Sequence, residues 1–278
     1  MKMDQAAFLQ PAEVQSPETI KACCVALYDS DWATLLLGDS YHPGKLKLTE
    51  RLGELLDLKP GDKVLDVASG LGTSAIYLAE RFGCQVVGVD FSESIVEQAN
   101  SKAADVGLSN LVHFEQGDAE GLLFEDRMFD ALICECAFCT FPSKDIAARQ
   151  FWRVLRSGGR IGLSDLTLSG PLPSELNNLM AWVACIADAQ PIEEYTRILN
   201  TAGFSIKQVE KQDAELAELI EEIRGKLLVA ELMVKLKKLE FPDWIDFDEV
   251  GRLAQITAET VNQGRLGYAL ITGEKIGV

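Results

Sequence analysis

Two groups of residues in this 278-residue chain have the types and spacing for chemistry. The first is the turn Asp66-Val67-Ala68-Ser69-Gly70-Leu71-Gly72 with the later acids Asp90 and Asp118. Glycines at 70 and 72 let a turn fold tightly where a ligand approaches the backbone, and the helix after it aims free N–H groups at the turn. Close strand-to-helix packing also selects glycine, so the turn needs a second signal. Asp90 supplies it by ending the next apolar run, where an acid accepts hydrogen bonds from ribose hydroxyls. Asp118, in Gly117-Asp118-Ala119-Glu120, follows a third apolar run. Acids at neighbouring strand tips around one glycine turn point to a ligand that contains a nucleoside.

The second group is the thiols. Seven cysteines in a chain that starts Met1-Lys2-Met3-Asp4-Gln5, with no signal-peptide pattern, argue against a disulfide framework. They leave buried thiols, reactive thiols or a site for a soft ligand. Cys84 and Cys134 read as small core residues. Cys136, Cys139 and Cys185 stay open between packing and chemistry because they lie near the expected ligand mouth, and Cys23 and Cys24 fall between the two groups. Two histidines, His42 and His113, are little material for an imidazole metal site, and no metal is expected.

Regular elements must position these residues. Lys63–Val67, Gln85–Asp90, Leu111–Gln116, Phe129–Cys134 and Arg160–Asp165 read as strands alternating with helices, which is a doubly wound α/β pattern. Ser16-Pro17 starts a helix that runs to Tyr28, and a second helix covers Leu46–Leu56. Lys144–Leu155 is a helix stopped by Arg156-Ser157-Gly158-Gly159. Glu175–Asp188 reads as an added helix, Ile192–Thr201 as the next, and Phe204–Val209 as a strand. Residues 213–239 read as a long helix whose Leu216, Leu219, Ile220, Ile223, Leu227, Leu228 and Leu232 share one buried face. Phe241-Pro242-Asp243-Trp244 breaks it before a helix Phe247–Asn262 and a last strand, Tyr268–Gly273. The expected organisation is an N-terminal cap over 1–59, beginning with a loose arm, and a main domain over 60–278 with helical additions at about 171–190 and 213–262. The cap carries Tyr28, Trp32, Tyr41 and His42, and reads either as packing or as a lid that closes over a ligand and excludes water.

Hydrophobic residues make up 47% of the chain and charged ones 25%, enough for a substantial core. The net charge of −17, without a basic cluster, argues against nucleic acid and for a neutral or cationic small molecule. No apolar run reaches the roughly 18 residues of a membrane span, so the expectation is a cytoplasmic protein without membrane insertion. Oligomeric state is left open.

The turn at 66–72, Val89-Asp90, Gly117-Asp118-Ala119, Phe129-Asp130-Ala131-Leu132 and Arg153-Val154-Leu155-Arg156-Ser157-Gly158-Gly159-Arg160 resemble, in order, the motif set of class I S-adenosylmethionine-dependent methyltransferases of the type 11 and quinone-methyltransferase group. The resemblance implies a Rossmann-like, seven-stranded, mainly parallel sheet with an antiparallel last strand, and S-adenosylmethionine as cofactor. By position it implies that Asp66, Ala68, Ser69, Gly70 and Gly72 hold the methionine end, Asp90 with Phe91 the ribose, and Asp118 with Ala119 the adenine edge. Cys134 and the residues after it would line the transfer site. Ala184-Cys185-Ile186-Ala187-Asp188-Ala189, with Ala202-Gly203-Phe204, also looks like a segment of arsenite methyltransferases in which a cysteine binds trivalent arsenic. No cysteine follows Cys185 here, so such a site needs Cys23, Cys24, Cys136 or Cys139 to complete it.

Methyl transfer to a soft acceptor needs alignment and thiolate ligands rather than acid-base groups. An oxygen or carbon acceptor needs a general base, and His42, Glu135, Tyr28 and Tyr41 are the candidates, His42 first because its unperturbed pKa lies near neutrality. A non-enzymatic metalloid sensor on the same fold is the alternative of another class.

Overall fold

The computed structural model describes residues 16–238 and 246–277. The expected N-terminal arm and the Phe241–Trp244 break lie outside the described residues. Seven strands form one sheet: β1 (Lys63–Val67), β2 (Gln85–Asp90), β3 (Val112–Gln116), β4 (Phe129–Glu135), β5 (Leu155–Leu168), β6 (Phe204–Lys211) and β7 (Leu266–Lys275), in spatial order β3-β2-β1-β4-β5-β7-β6. The first five strands pair in parallel, and β7 runs antiparallel to both β5 and β6. Parallel strands buried on both faces need near-continuous apolar runs, and Val64, Leu65, Val67, Leu132 and Ile133 meet that need with no exposed surface.

Helices α1 (Pro17–Tyr28), α2 (Asp31–Leu37) and α3 (Lys45–Leu55) precede the sheet. Ser16 caps α1 by accepting the Thr19 N–H at 3.2 Å, with Pro17 in the first turn where its missing N–H costs nothing. Helix α2 was not expected from the sequence; Ser30 starts it by accepting the Ala33 N–H. Helices α4 (Thr73–Phe82), α5 (Glu93–Asp105) and α6 (Lys144–Val154) make the crossovers, and α5 starts at Ser92, whose hydroxyl accepts the Ile95 N–H. Gly72, at φ 74°, opens α4 where a Cβ would lie 2.3 Å from the Phe114 ring, so β3 fixes that glycine by close approach.

Three expectations need correction. The stretch Arg156–Gly159 does not stand between helix and strand but belongs to β5, which pairs first with Phe129 and again from Arg160 across a bulge. The expected helix Glu175–Asp188 is a single turn, Ser174–Leu176, followed by the short α7 (Leu179–Val183), because the Asn178 side chain accepts the Ala181 N–H and starts a new helix there. After α8 (Ile192–Ala202), the long helix α9 (Asp213–Lys235) buries Leu216, Leu219 and Leu227, while Leu228 and Leu232 are exposed. Its apolar stripe is wider than the surface it packs on. Helix α10 (Phe247–Asn262) packs beside α9, and both rest on β7.

Candidate active site

Strand β1 lies between β2 and β4, so the chain turns away in opposite directions from the adjacent pair β1 and β4. A switch of this kind opens a crevice beyond the carboxyl ends of the strands. A cavity of about 140 Å³ fills it, with Ala68 and Gly70 after β1, Asp90 and Phe91 after β2, Asp118 and Ala119 after β3, and Glu135 and Cys136 where β4 ends. Helix α1 covers it with Lys21, Cys24 and Tyr28.

Asp90 is the hub of the floor. One of its oxygens accepts the Gly70 N–H at 2.9 Å and the other the Ser92 N–H at 3.0 Å. Burial raises its pKa, while the N–H groups of Ser92, Gly70 and Phe91 pull the other way. Opposite, Lys21 bridges Asp118 at 2.7 Å and Glu120 at 2.6 Å, tying α1 to the loop after β3. Burial works against the Lys21 ammonium, but the two carboxylates outweigh it and raise its pKa.

A smaller cavity of about 40 Å³ adjoins the turn and is lined by Ser40, His42, Asp66, Ser69 and Glu135, among others. His42 stands 3.0 Å from the Ser40 hydroxyl and 3.6 Å from Glu135, and Thr49 donates to the Glu135 carboxylate at 3.0 Å. Asp66 Oδ2 and Ser69 Oγ are buried without a hydrogen-bond partner among the described residues. Burial, then the charges of Glu135 and Asp90, push the Asp66 carboxyl well above its usual range. An orphaned acid oxygen beside an orphaned hydroxyl in a notch of this size calls for a cationic donor; a ligand ammonium would satisfy both and neutralise the acid.

The thiols gather behind the wall of the larger cavity. Cys136 and Cys185 both adopt left-handed backbone, φ 52° and 66°, unusual for residues other than glycine. The neighbouring thiols of Cys136, then Cys139, draw the Cys185 pKa well below the usual thiol range against its burial, and the Tyr28 hydroxyl, 3.7 Å away, acts in the same direction. Cys136 and Cys139 rise correspondingly, Cys136 chiefly through its bond to Cys185 and Cys139 chiefly through burial. One contact opposes this: the Cys185 sulfur lies 3.0 Å from the Cys136 carbonyl, an arrangement in which the thiol donates. Of the three thiols, Cys185 is the one whose pKa is drawn down. Behind them Asp165 accepts the N–H groups of Cys139 and Leu166, and burial, then Cys185, push its pKa up to about 7.

Beyond Tyr28, Tyr41 and Cys136 lies a second large cavity, about 250 Å³, walled by α2, α7, α9 and α10. These three residues line both cavities, so the two meet there.

The remaining candidates are placed as follows. His42 lines only the small notch, not either large cavity. Cys134 and Cys139 face the core, and Cys23 packs with Ile20, Leu179 and Val183 between α1 and α7. Trp32 lies in α2, with its side chain outside the described residues. Lys21, Asp165 and the apolar wall were not singled out from the sequence. Lys21 carries no local signal, whereas Asp165 ends an apolar run as Asp66 and Asp90 do. No group of three or more His, Cys, Asp or Glu among the described residues is placed to hold a metal ion, and no described helix is long and apolar enough to cross a membrane.

A doubly wound sheet with an acid-rimmed glycine turn at its switch point defines a nucleoside-cofactor-binding α/β protein. More narrowly, the chain belongs to the methyltransferase domain family, whose model matches residues 58–203. The family's cofactor, S-adenosylmethionine, fits the residues present: the notch suits its ammonium and Asp90 its ribose.

Among curated relatives, phosphoethanolamine N-methyltransferase 1 of Zea mays is 33% identical over 172 residues, 61% of this chain and 34% of that protein. The 27-O-demethylrifamycin SV methyltransferase of Amycolatopsis mediterranei is 36% identical over 167 residues, 59% of this chain and 61% of that protein. The arsenite methyltransferase of Halobacterium salinarum is 29% identical over 159 residues, 56% of this chain and 40% of that protein. The chain thus spans between about a third and three-fifths of their lengths. Among solved structures, Haemonchus contortus phosphoethanolamine N-methyltransferase 2 with S-adenosyl-L-methionine superposes with a TM-score of 0.78 at 19% identity, covering 96% of this chain and 62% of that one. The [4+2]-cyclase SpnF superposes at 0.72 and 22% identity, covering 95% and 98%. One fold therefore serves different activities, and function has to be argued from the site.

Proposed function

We propose that the chain binds S-adenosylmethionine in the crevice at the β1–β4 switch point and transfers its methyl group to a small molecule. The observation that carries this reading is the junction at Tyr28, Tyr41 and Cys136, where the acid-lined cleft opens into a second cavity large enough for an acceptor. The cofactor supplies a methyl group on a positively charged sulfur. The chain's own residues bind and orient: Asp66, Ser69 and Glu135 hold an ammonium, Asp90 a pair of hydroxyls, and Asp118 with Ala119 an adenine edge. Helix α1, pinned by Lys21, acts as a lid that keeps water from the junction. Alignment of acceptor atom, methyl carbon and sulfur then carries most of the rate.

Tyr28 and Tyr41 are the polar groups nearest an oxygen or carbon acceptor. Burial raises both phenols, Tyr28 strongly, so each serves there as a neutral hydrogen-bonding group. The most direct test is a transfer assay with methyl-labelled cofactor against quinone precursors, phenols, small amines and arsenite with glutathione. Label in any product supports the reading. Tight cofactor binding with no labelled product across the panel, beside thiol-dependent arsenite binding, favours a sensor instead.

A second reading has its own observation, the left-handed backbone at Cys136 and Cys185 and the Cys185 sulfur 3.0 Å from the Cys136 carbonyl, which set these two cysteines side by side. A pair of neighbouring cysteines suits a trivalent, thiophilic acceptor such as arsenite, whose lone pair attacks the methyl carbon as the bond from that carbon to the cofactor sulfur breaks. On this reading Cys185→Ser abolishes arsenite turnover and leaves cofactor affinity unchanged; arsenite turnover that survives the substitution overturns it.

A further inference from the structure

The second cavity has a composition that the methyl-transfer reading does not use. None of the described residues that line it is charged. Its walls are aliphatic, with Leu219, Ile223 and Leu227 from α9 facing Met180 and Ile186, and its polar members are only Tyr28, Tyr41, Cys136 and Thr257. Thr257 already donates to the Leu253 carbonyl at 2.8 Å, which removes its hydroxyl proton from use. Tyr28 donates to the Val183 carbonyl at 2.9 Å, leaving its lone pairs. Tyr28, Tyr41 and Cys136 are the three residues at the junction, so polarity lies at one end of the cavity and hydrocarbon at the other.

An ammonium, carboxylate or phosphate placed among these walls loses its water and gains no counter-charge, a cost of several kcal/mol per ion. A hydrocarbon ring or chain gains roughly 25 cal/mol for each Å² it buries. The volume of about 250 Å³ falls just below the roughly 300 Å³ at which pockets for drug-sized ligands begin, so the occupant is compact. We infer that the methyl acceptor is an uncharged, hydrocarbon-rich molecule of one or two rings or a short chain, with a single polar end presented at Tyr28 and Tyr41. This rests on the methyl-transfer reading and departs from the zwitterionic acceptor in the names of the phosphoethanolamine relatives.

The test uses 1-naphthol, uncharged at pH 7 and carrying one hydroxyl, titrated by its fluorescence into the protein saturated with S-adenosylhomocysteine. The expected result is saturable binding at one site, weakened at least tenfold by Ile223→Glu, which brings a charge to the wall, and by Ala254→Leu, which fills part of the space. Both variants should bind S-adenosylhomocysteine within twofold of the parent, which also shows that they fold. If naphthol does not bind, if neither folded variant weakens it, or if phosphoethanolamine binds as tightly, the inference is overturned. Failure of the parent to bind S-adenosylhomocysteine overturns the methyl-transfer reading instead.

Discussion

The cofactor-side crevice and the apolar cavity beyond it were made in different ways. The cofactor-side crevice is built from strand tips that follow one another closely in the chain, and it is edged with acids: Asp66, Asp90, Asp118 and Glu135. The apolar cavity draws its walls from α2, α7 and the α9–α10 pair, which lie far apart in the chain, and none of its described lining residues is charged. On the proposed reading, one ligand is held by aimed hydrogen bonds at the ends of a rigid sheet and the other is enclosed by apolar surface on added helices. A fixed donor and an exchangeable acceptor call for such a division, because a new acceptor then requires only new helices.

The comparison can be broken first on stability. Leu65 is fully buried in the middle of the sheet, whereas Leu219 borders a space and has fewer contacts to lose. Leu65→Ala is expected to cost about 4–5 kcal/mol and Leu219→Ala about 2, read from urea unfolding midpoints; equal losses would mean that the helical wall is as tightly packed as the sheet. On binding, Asp90→Ala removes an acceptor for charge-assisted hydrogen bonds. It should weaken S-adenosylmethionine about 10- to 100-fold while changing 1-naphthol binding little. A parallel loss of both ligands would show that the two cavities act as one.

The boundary between them can be probed by pH. The Asp165 pKa is raised in the folded protein to about 7 from 3.8, so the folded state holds this proton more tightly than the unfolded chain. The stability contribution is therefore present below about pH 4 and is lost as pH rises to about 7. Asp165→Asn removes the titration. Relative to the variant, the parent should lose on the order of 2–3 kcal/mol between pH 5 and 8; a difference that stays flat would contradict the assignment. The smallest effect is expected at the lid, where Lys21→Met should weaken the cofactor about two- to fivefold at low salt. That difference should shrink in 1 M salt, where screening is nearly complete.

The same contrast explains what could be read from the chain alone. Asp66, Gly70, Asp90 and Asp118 were legible because backbone geometry demands small residues at the turn and because acids at strand tips break apolar runs visibly. The doubly wound pattern of the first five strands followed from the alternation of strands and helices, while the antiparallel last strand was implied by the family resemblance. Ile223 and Leu227 looked like any helix face, since nothing local tells a side chain that fills a core from one that borders a cavity. Lys21 was invisible for a related reason: its partners lie across the fold, and a lone lysine on a helix carries no spacing to read. The helix placed over Glu175–Asp188 failed because Asn178 stops and restarts the chain through one side-chain hydrogen bond, which periodicity does not register.

Strand β5 lies between β4 and β7, and β7 is made roughly a hundred residues after β5 ends. During synthesis the first five strands can assemble while one flank of β5 remains a bare row of N–H and C=O groups, open to another chain. Three of the helices that build the apolar wall, α7, α9 and α10, emerge in that interval. Their early packing over the sheet would shield the open flank until β7 arrives, so a chain cut before Leu266 is expected to aggregate rather than persist as a smaller folded unit.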